Sequence, residues 1–298
     1  TFAGDDDDLY KLNTSTFALD SINSGYAMTG DMYWKFVRFG DEVIAGGSDS
    51  DTLQGFTVGT DSAFAAVSGA PAARQLAVIR DFVVTGNVSY SGGTHRSRVR
   101  WSAINDATSW TIGTNQADFQ DIPDAGQITG LVGGEYGVVL LEKAIARMQY
   151  VGSPLIFTFE KVETNHGCNY PNSVASLGAS QVFYLADDGF FMFNGQKSIP
   201  IGAEKVDQFF FDDLDFDNSD RITCTIDPEN QCVMWGYPSI NGVGNPDRII
   251  VYNYAVQKWS IVELDHELLS SSLTPSFSLE ALDNISSTLE GLTTSLDS

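Results

Sequence analysis

The feature that most constrains this chain is repetition of one short unit. "FMFNGQKSIPIG" (residues 191–202) and "YNYAVQKWSIV" (residues 252–262) each read as a strand, a polar turn opening on Asn, and a second strand. Aligning the rest of the chain beneath them gives five first hairpins: "WKFVRFGDEVIAGG", "LAVIRDFVVTG", "ITGLVGGEYGVVLLE", "VASLGASQVFYLADDG" and "RITCTIDPENQCVMWGYP". Each is followed by a second: "LQGFTVGTDSAFAAV", "RVRWSAINDATSWTIG", "IARMQYVGSPLIFTFEKV", "FFMFNGQKSIPIG" and "IIVYNYAVQKWSIV". The turns carry Gly, Asp and Asn, which supply the backbone angles and local hydrogen bonds that a reversal needs.

With Arg38, Ile79, Val132, Leu177 and Thr225 as equivalent positions, the four-stranded unit recurs roughly every 45 to 50 residues, the spacing of propeller blades. The predicted fold is therefore all-β: a β-propeller of four-stranded antiparallel blades, five of them visible and six or more once the N-terminal part is counted. A β-sandwich is the runner-up. An α/β fold is excluded because the amphipathic helices that must alternate with parallel strands are missing. Runs such as "GVVLLE" and "QVFYLA" suit blades buried on both faces, and Trp34, Trp101, Trp110, Trp235 and Trp259 read as blade packing at strand positions. Residues 7–20 match the second hairpin of a blade whose first hairpin would lie upstream of Thr1. The expected organisation is a propeller body over residues 1–265 and a Ser- and Leu-rich extension over 266–298. In that extension Leu279, Leu282, Ile285, Leu289 and Leu292 are spaced for a short helix that docks on the body or on a neighbouring subunit.

Charge limits the partners. With 16 Lys and Arg against 39 Asp and Glu, the net charge is −23, a surface that repels nucleic acid because phosphate neutralisation needs clustered cations. The densest basic stretch, "HRSRVRW", alternates Arg96, Arg98 and Arg100 and predicts one solvated strand face. No run approaches the ~18 apolar residues of a membrane span, so membrane insertion has no support. Cys168, Cys224 and Cys232 form no metal or disulfide framework and predict reduced, packed thiols made in a reducing cytoplasm. Centring the turn of the last first-hairpin on "DPEN" sets Thr225 opposite Cys232.

Catalytic constellations do not assemble. His95, His166 and His266 follow no ligand spacing, and His166 with Cys168 on one loop falls short of a nucleophile pair. "SAINDATSW" resembles the Asp-box turn of sialidase propellers in Asp106 and Trp110 but lacks its Gly. That turn is structural and implies no glycosidase. In "DDLDFDNSD", Asp213, Asp215 and Asp217 alternate like the start of a calcium loop, yet Asn218 replaces the turn Gly and Cys224 the twelfth, acidic ligand. A solvated acidic connector without metal is expected there, and likewise for Asp5 to Asp8. No catalytic residue and no cofactor is predicted.

The order of the motifs carries a family likeness. "VRWSAINDATSW", then "GLVGGEYGVVLLEKAIARMQYVGSP", then "VASLGASQVFYLADDGFFMFNG" and "PIGAEKVDQFFFDDL" resemble the tail hub, nozzle or packaged-DNA stabilisation propellers of short-tailed bacteriophages, over residues 81–264. The resemblance implies a non-enzymatic virion structural protein of the tail, assembled in the host cytoplasm and oligomeric around the tail axis. Its partners would be portal or adaptor and tail fibre or spike proteins, and DNA would pass without specific binding. A carbohydrate-binding or glycosidase-type propeller is the alternative, marked by paired carboxylates and exposed aromatics in a central pocket.

Overall fold

The computed structural model describes residues 1–14 and 16–271. Six antiparallel sheets form a ring as the blades of a β-propeller. Blade 1 has three strands, β1 (Phe2–Gly4), β2 (Leu9–Leu12) and β3 (Leu19–Asn23); blade 2 has β4 (Lys35–Phe39), β5 (Glu42–Gly46), β6 (Gln54–Thr57) and β7 (Ala65–Ala66). Blade 3 follows with β8 (Ala72–Ile79), β9 (Phe82–Tyr90), β10 (Gly93–Trp101) and β11 (Asp118–Asp121), and blade 4 with β12 (Ile128–Val132), β13 (Gly137–Leu141), β14 (Ile145–Gly152) and β15 (Ile156–Glu163). Blade 5 holds β16 (Ala175–Ser176), β17 (Val182–Leu185), β18 (Phe190–Phe193) and β19 (Ser198–Pro200). A short helix α1 (Asp207–Asp213) and a 3-10 turn (Phe216–Arg221) lead into blade 6, built from β20 (Thr223–Asp227), β21 (Cys232–Tyr237), β22 (Arg248–Asn253) and β23 (Lys258–Glu263).

The repeat read from sequence is the blade. Arg38, Ile79, Val132 and Thr225 lie on the innermost strands and Leu177 directly follows β16. The second strands are the driest: Gly137–Leu141 and Val182–Leu185 are buried throughout, because each packs a neighbouring blade on both faces. Apolar clusters join consecutive blades. Phe2 meets Phe56 and Phe64 between blades 1 and 2, Trp110 closes against Val83 and Val88 between 2 and 3, and Phe82, Trp101 and Phe157 bridge 3 and 4. Val138 with Val182 and Phe193 joins 4 and 5, and Phe190 with Trp235 and Tyr252 joins 5 and 6.

Several expectations are corrected. Residues 9–23 do form an outer hairpin, but β1 precedes it, so one strand of the inner hairpin is present in blade 1. The second hairpin of blade 3 is not a single strand-turn-strand within "RVRWSAINDATSWTIG": Ala103 bridges Asp106 across a tight turn, but no strand follows it there. After β10 the chain makes a compact loop, held by Ala103 N–H to Ser109 O (2.8 Å) and Gly113 N–H to Ala117 O (2.8 Å), before β11 pairs Trp101 with Asp118. Trp110 lies in that loop and Trp34 just before β4, so two of the five tryptophans are packed off-strand. In blade 6 it is Asp227 that faces Cys232, while Cys224 faces Trp235, because the Asp227 carboxylate accepts the N–H groups of Glu229 and Asn230 and moves the turn outward. The expected helix over Leu279 to Leu292 lies outside the described residues.

Candidate functional site

The inner strands enclose a central channel of about 930 Å³. If the wall is about five strand residues tall, ~17 Å at 3.3 Å per residue, the mean cross-section is ~55 Å² and the radius ~4 Å. Its wall is mostly neutral. Gln75 and Ala77 come from β8, Leu131 from β12, Ser176 from β16 and Thr225 from β20, and among the described lining residues Lys35 carries the single charged side chain.

Lys35 opens β4, and its Nζ reaches the Asn172 side-chain oxygen at 3.4 Å. Burial pushes its pKa down to about 8, because no carboxylate replaces the water lost by the ammonium. Sequence alone gave no signal for this residue, since Lys35 and Arg38 alike read as ordinary cations of one short strand. Near it, Arg74 holds Asp49 with both arms of its guanidinium (2.9 and 2.7 Å) and Asp31 at 2.7 Å, linking the entry loops of blade 2 to blade 3. The Arg74 hydrogen bonds hold the Asp49 carboxyl below the usual range.

The sequence candidates are dispersed. Asp213 accepts from Arg248 (3.1 Å) and from the Tyr237 hydroxyl (2.9 Å), so it is tied down and not a solvated connector. Asp215 caps the 3-10 turn by accepting the Asp217 N–H (3.1 Å) and the Asn218 side-chain N–H (2.8 Å). These carboxylates serve the fold separately, and no cluster of metal ligands occurs among the described residues. In the Asp5 to Asp8 run, Asp5 accepts the N–H groups of Asp7 and Asp8 and the Tyr10 hydroxyl, closing the turn between β1 and β2; the Tyr10 bond lowers its pKa. His166 stacks on Phe191 (4.5 Å) with Nδ1 3.3 Å from Asp188. Cys168 is turned instead toward Tyr170 O and Ser173, and burial raises its thiol pKa, the opposite of what an attacking thiolate needs.

The arginines also sort differently from the expected single solvated face. A register shift between His95 and Val99 breaks the alternation. Arg96 reaches Gln127, Arg98 pairs with Asp121 (2.7 and 2.8 Å) over the Phe119 ring, and Arg100 is 2% exposed. Its guanidinium lies 3.8 Å from the Tyr90 ring centre and donates to the carbonyls of Gly69 and Trp110. Elsewhere Arg80 meets Glu135 and Arg147 meets Glu160. Cations that already have partners leave the acidic excess of the chain as its outward field.

The chain matches no protein-family model and no curated protein. Among solved structures it resembles a chain of the mitotic checkpoint complex (TM-score 0.52, 10% identity, 88% of this chain and 73% of that one). It also resembles the dihydro-heme d1 dehydrogenase NirN in complex with DHE (TM-score 0.54, 14% identity, 88% and 53%), of which it spans about half the length. At such identities the likeness is one of fold.

Proposed function

We propose that this chain is a structural component of a short-tailed bacteriophage tail, a hub or nozzle subunit that helps form an oligomeric conduit for DNA. The observation that carries the reading is electrostatic: a net charge of −23 on a molecule whose arginines are largely engaged by its own carboxylates, carbonyls and rings. A wall of that character repels phosphate and lets a duplex slide, whereas a basic wall holds it by counterion release. The ordered hairpin motifs resembling tail propellers support the same assignment.

Geometry limits how such a conduit is made. A radius of ~4 Å is far below that of a duplex whose major groove alone is about 12 Å wide. DNA would therefore run through the centre of a ring of copies, with each propeller lying in its wall. Contacts between copies fall to what projects from the blades, such as the loop after β21, where Ile240 is 62% and Val243 92% exposed. The glycosidase alternative is weakened because no carboxylate side chain lines the channel among the described residues. Imaging of native particles with this chain tagged tests the proposal: density in a ring on the tail axis is expected, and its absence from particles overturns it. Tight, salt-sensitive duplex binding by the purified chain would also overturn it.

A further inference from the structure

The channel mouth holds an uncommitted cation. Lys35 opens β4 of blade 2, and its Nζ makes a single long bond, 3.4 Å, to the side-chain oxygen of Asn172 on the segment entering blade 5. Blades 2 and 5 stand opposite each other in the ring of six, so this side chain reaches across the mouth. Among the described residues no carboxylate meets it, although Asp and Glu outnumber Lys and Arg by 39 to 16.

A niche of about 20 Å³ opens off the channel beside it, and Tyr33, Lys35, Gln75 and Asn172 line both spaces. Gln75 is only 4% exposed, yet its amide makes no hydrogen bond among the described residues, so niche and channel are the open space left to it. Asn172 uses its oxygen on Lys35 and keeps both N–H groups of its amide uncommitted among the described residues. A buried amide and an ammonium without full partners cost free energy, which a ligand with the complementary atoms recovers.

The donor inventory decides the ligand. Lys35, Asn172 and Gln75 all present N–H groups, one ammonium and two amides, and such a set takes an anion. That anion is small and singly charged, because every further negative charge has to cross the field of a chain of net charge −23. Its other end is apolar: beyond Lys35 along the inner strands the wall passes Val37, Ala77 and Leu131.

We propose that the channel mouth binds a small monocarboxylate, its oxygens on Lys35 and the amides of Asn172 and Gln75, its hydrocarbon end pointing down the channel. Asn87 Oδ1 is buried without a donor at the niche wall, and the niche has room for one water that donates both there and to the carboxylate. Lys35 gives the site a pH signature. Its pKa of about 8 in the free channel rises when a carboxylate adjoins it, so affinity falls about tenfold per pH unit above that value. Neighbouring groups stay out of this window. Arg74 keeps its charge against Asp31 and Asp49, and burial raises the pKa of Tyr33, Cys168 and Cys224, which remain protonated. The inference goes beyond the tail assignment and does not rest on it.

Propionate, followed by saturation-transfer NMR on the purified full chain, tests it. At pH 7 propionate should bind saturably while propanol and propylammonium do not, and Lys35→Met, which removes a buried charge and should fold, weakens binding at least about tenfold. Asn172→Asp sets a carboxylate of the chain itself against Lys35 and should abolish binding as well. Between pH 7 and pH 10 the wild-type affinity should drop at least about tenfold. Absence of saturable propionate binding at pH 7 overturns the proposal. So do equal affinities in wild type and Lys35→Met, or a wild-type affinity that stays level to pH 10. Displacement of propionate by an equal concentration of chloride overturns the assignment to a carboxylate.

Discussion

Gly133 offers the sharpest test of how adjacent blades are locked together. It lies just past β12, in the GG of "LVGGEYG", where the backbone approaches the end of β8. Gly134 N–H donates to Val78 O (3.1 Å), Arg80 N–H donates to Gly134 O (2.9 Å), and Ile79 bridges Gly134 in parallel. A β-carbon on Gly133 would meet the Val78 carbonyl well inside the 3.0 Å that real β-carbons keep, and its neighbours there are backbone atoms that no rotamer change can move. Gly133→Ala therefore has to separate blades 3 and 4 at the channel wall.

The cost has three parts. Forcing a methyl into a packed contact costs about 1–3 kcal/mol. Weakening the two hydrogen bonds at Gly134 adds about 1 kcal/mol each. Alanine's stiffer unfolded chain returns about 0.4–1 kcal/mol. The balance is a loss of about 3 kcal/mol, a fall in Tm of roughly 6–12 °C at about 2–4 °C per kcal/mol for a chain approaching this size. Urea unfolding followed by tryptophan fluorescence measures it as a lower midpoint at unchanged slope. Gly40→Ala is the control: it sits at φ 61° with nothing within 4 Å, so only backbone strain, about 1–2 kcal/mol before the same entropy offset, opposes it. A loss at Gly133 below about 1 kcal/mol, or no larger than at Gly40, refutes the contact argument.

Trp235 is fully buried, packs at a tilt against the Phe190 ring (4.8 Å) and donates its indole N–H to Ser173 O (2.9 Å), so Trp235→Ala should cost about 3–5 kcal/mol and Trp235→Phe about 1–3 kcal/mol for the orphaned carbonyl, read by the same urea titration. Lys35 titrates near pH 8 when folded and near the ordinary lysine value of 10.5 when unfolded, so folding is penalised below pH 8 and the penalty fades as pH rises through that window. Stability measured from pH 7 to 10 should therefore rise relative to Lys35→Met, and parallel curves would disprove the burial argument. Because Asp213 is already engaged by Arg248 and Tyr237, chelator should leave Tm unchanged; metal stabilisation of about 2.7 kcal/mol, as at hundredfold excess over Kd, would appear as a clear drop.

What the sequence made legible was what neighbouring residues decide. Hairpins such as β13–β14 and β22–β23 are specified by short apolar, β-branched runs and by turns such as Asn253, whose side chain accepts the N–H groups of Ala255 and Val256. The errors occur where distant groups intervene. The loop after β10 mimics a strand because Trp110 is apolar, yet Trp110 is held by the carbonyl of Ala107 and by packing against blade 2, and the chain reaches β11 only later. Arg100 looks like a surface cation until Tyr90 and Trp110 supply its surroundings. Lys35 looks like an ordinary strand-end lysine until the fold sets it in the channel wall beside Asn172, more than a hundred residues away in the chain.

Closure of the ring shows why this division falls where it does. Each blade is a local meander, with strands joined by short turns, and so local sequence names it. Whether the sixth junction closes depends on residues separated by most of the chain: β1 at one end, β20 and the segment from His266 at the other. Loop-closure entropy for such a span grows only as the logarithm of its length, so a long separation is thermodynamically affordable, but no local pattern records which edge a strand will meet. A propeller left open there would expose Leu19 and Val262 and an unpaired edge, features that invite association with other chains.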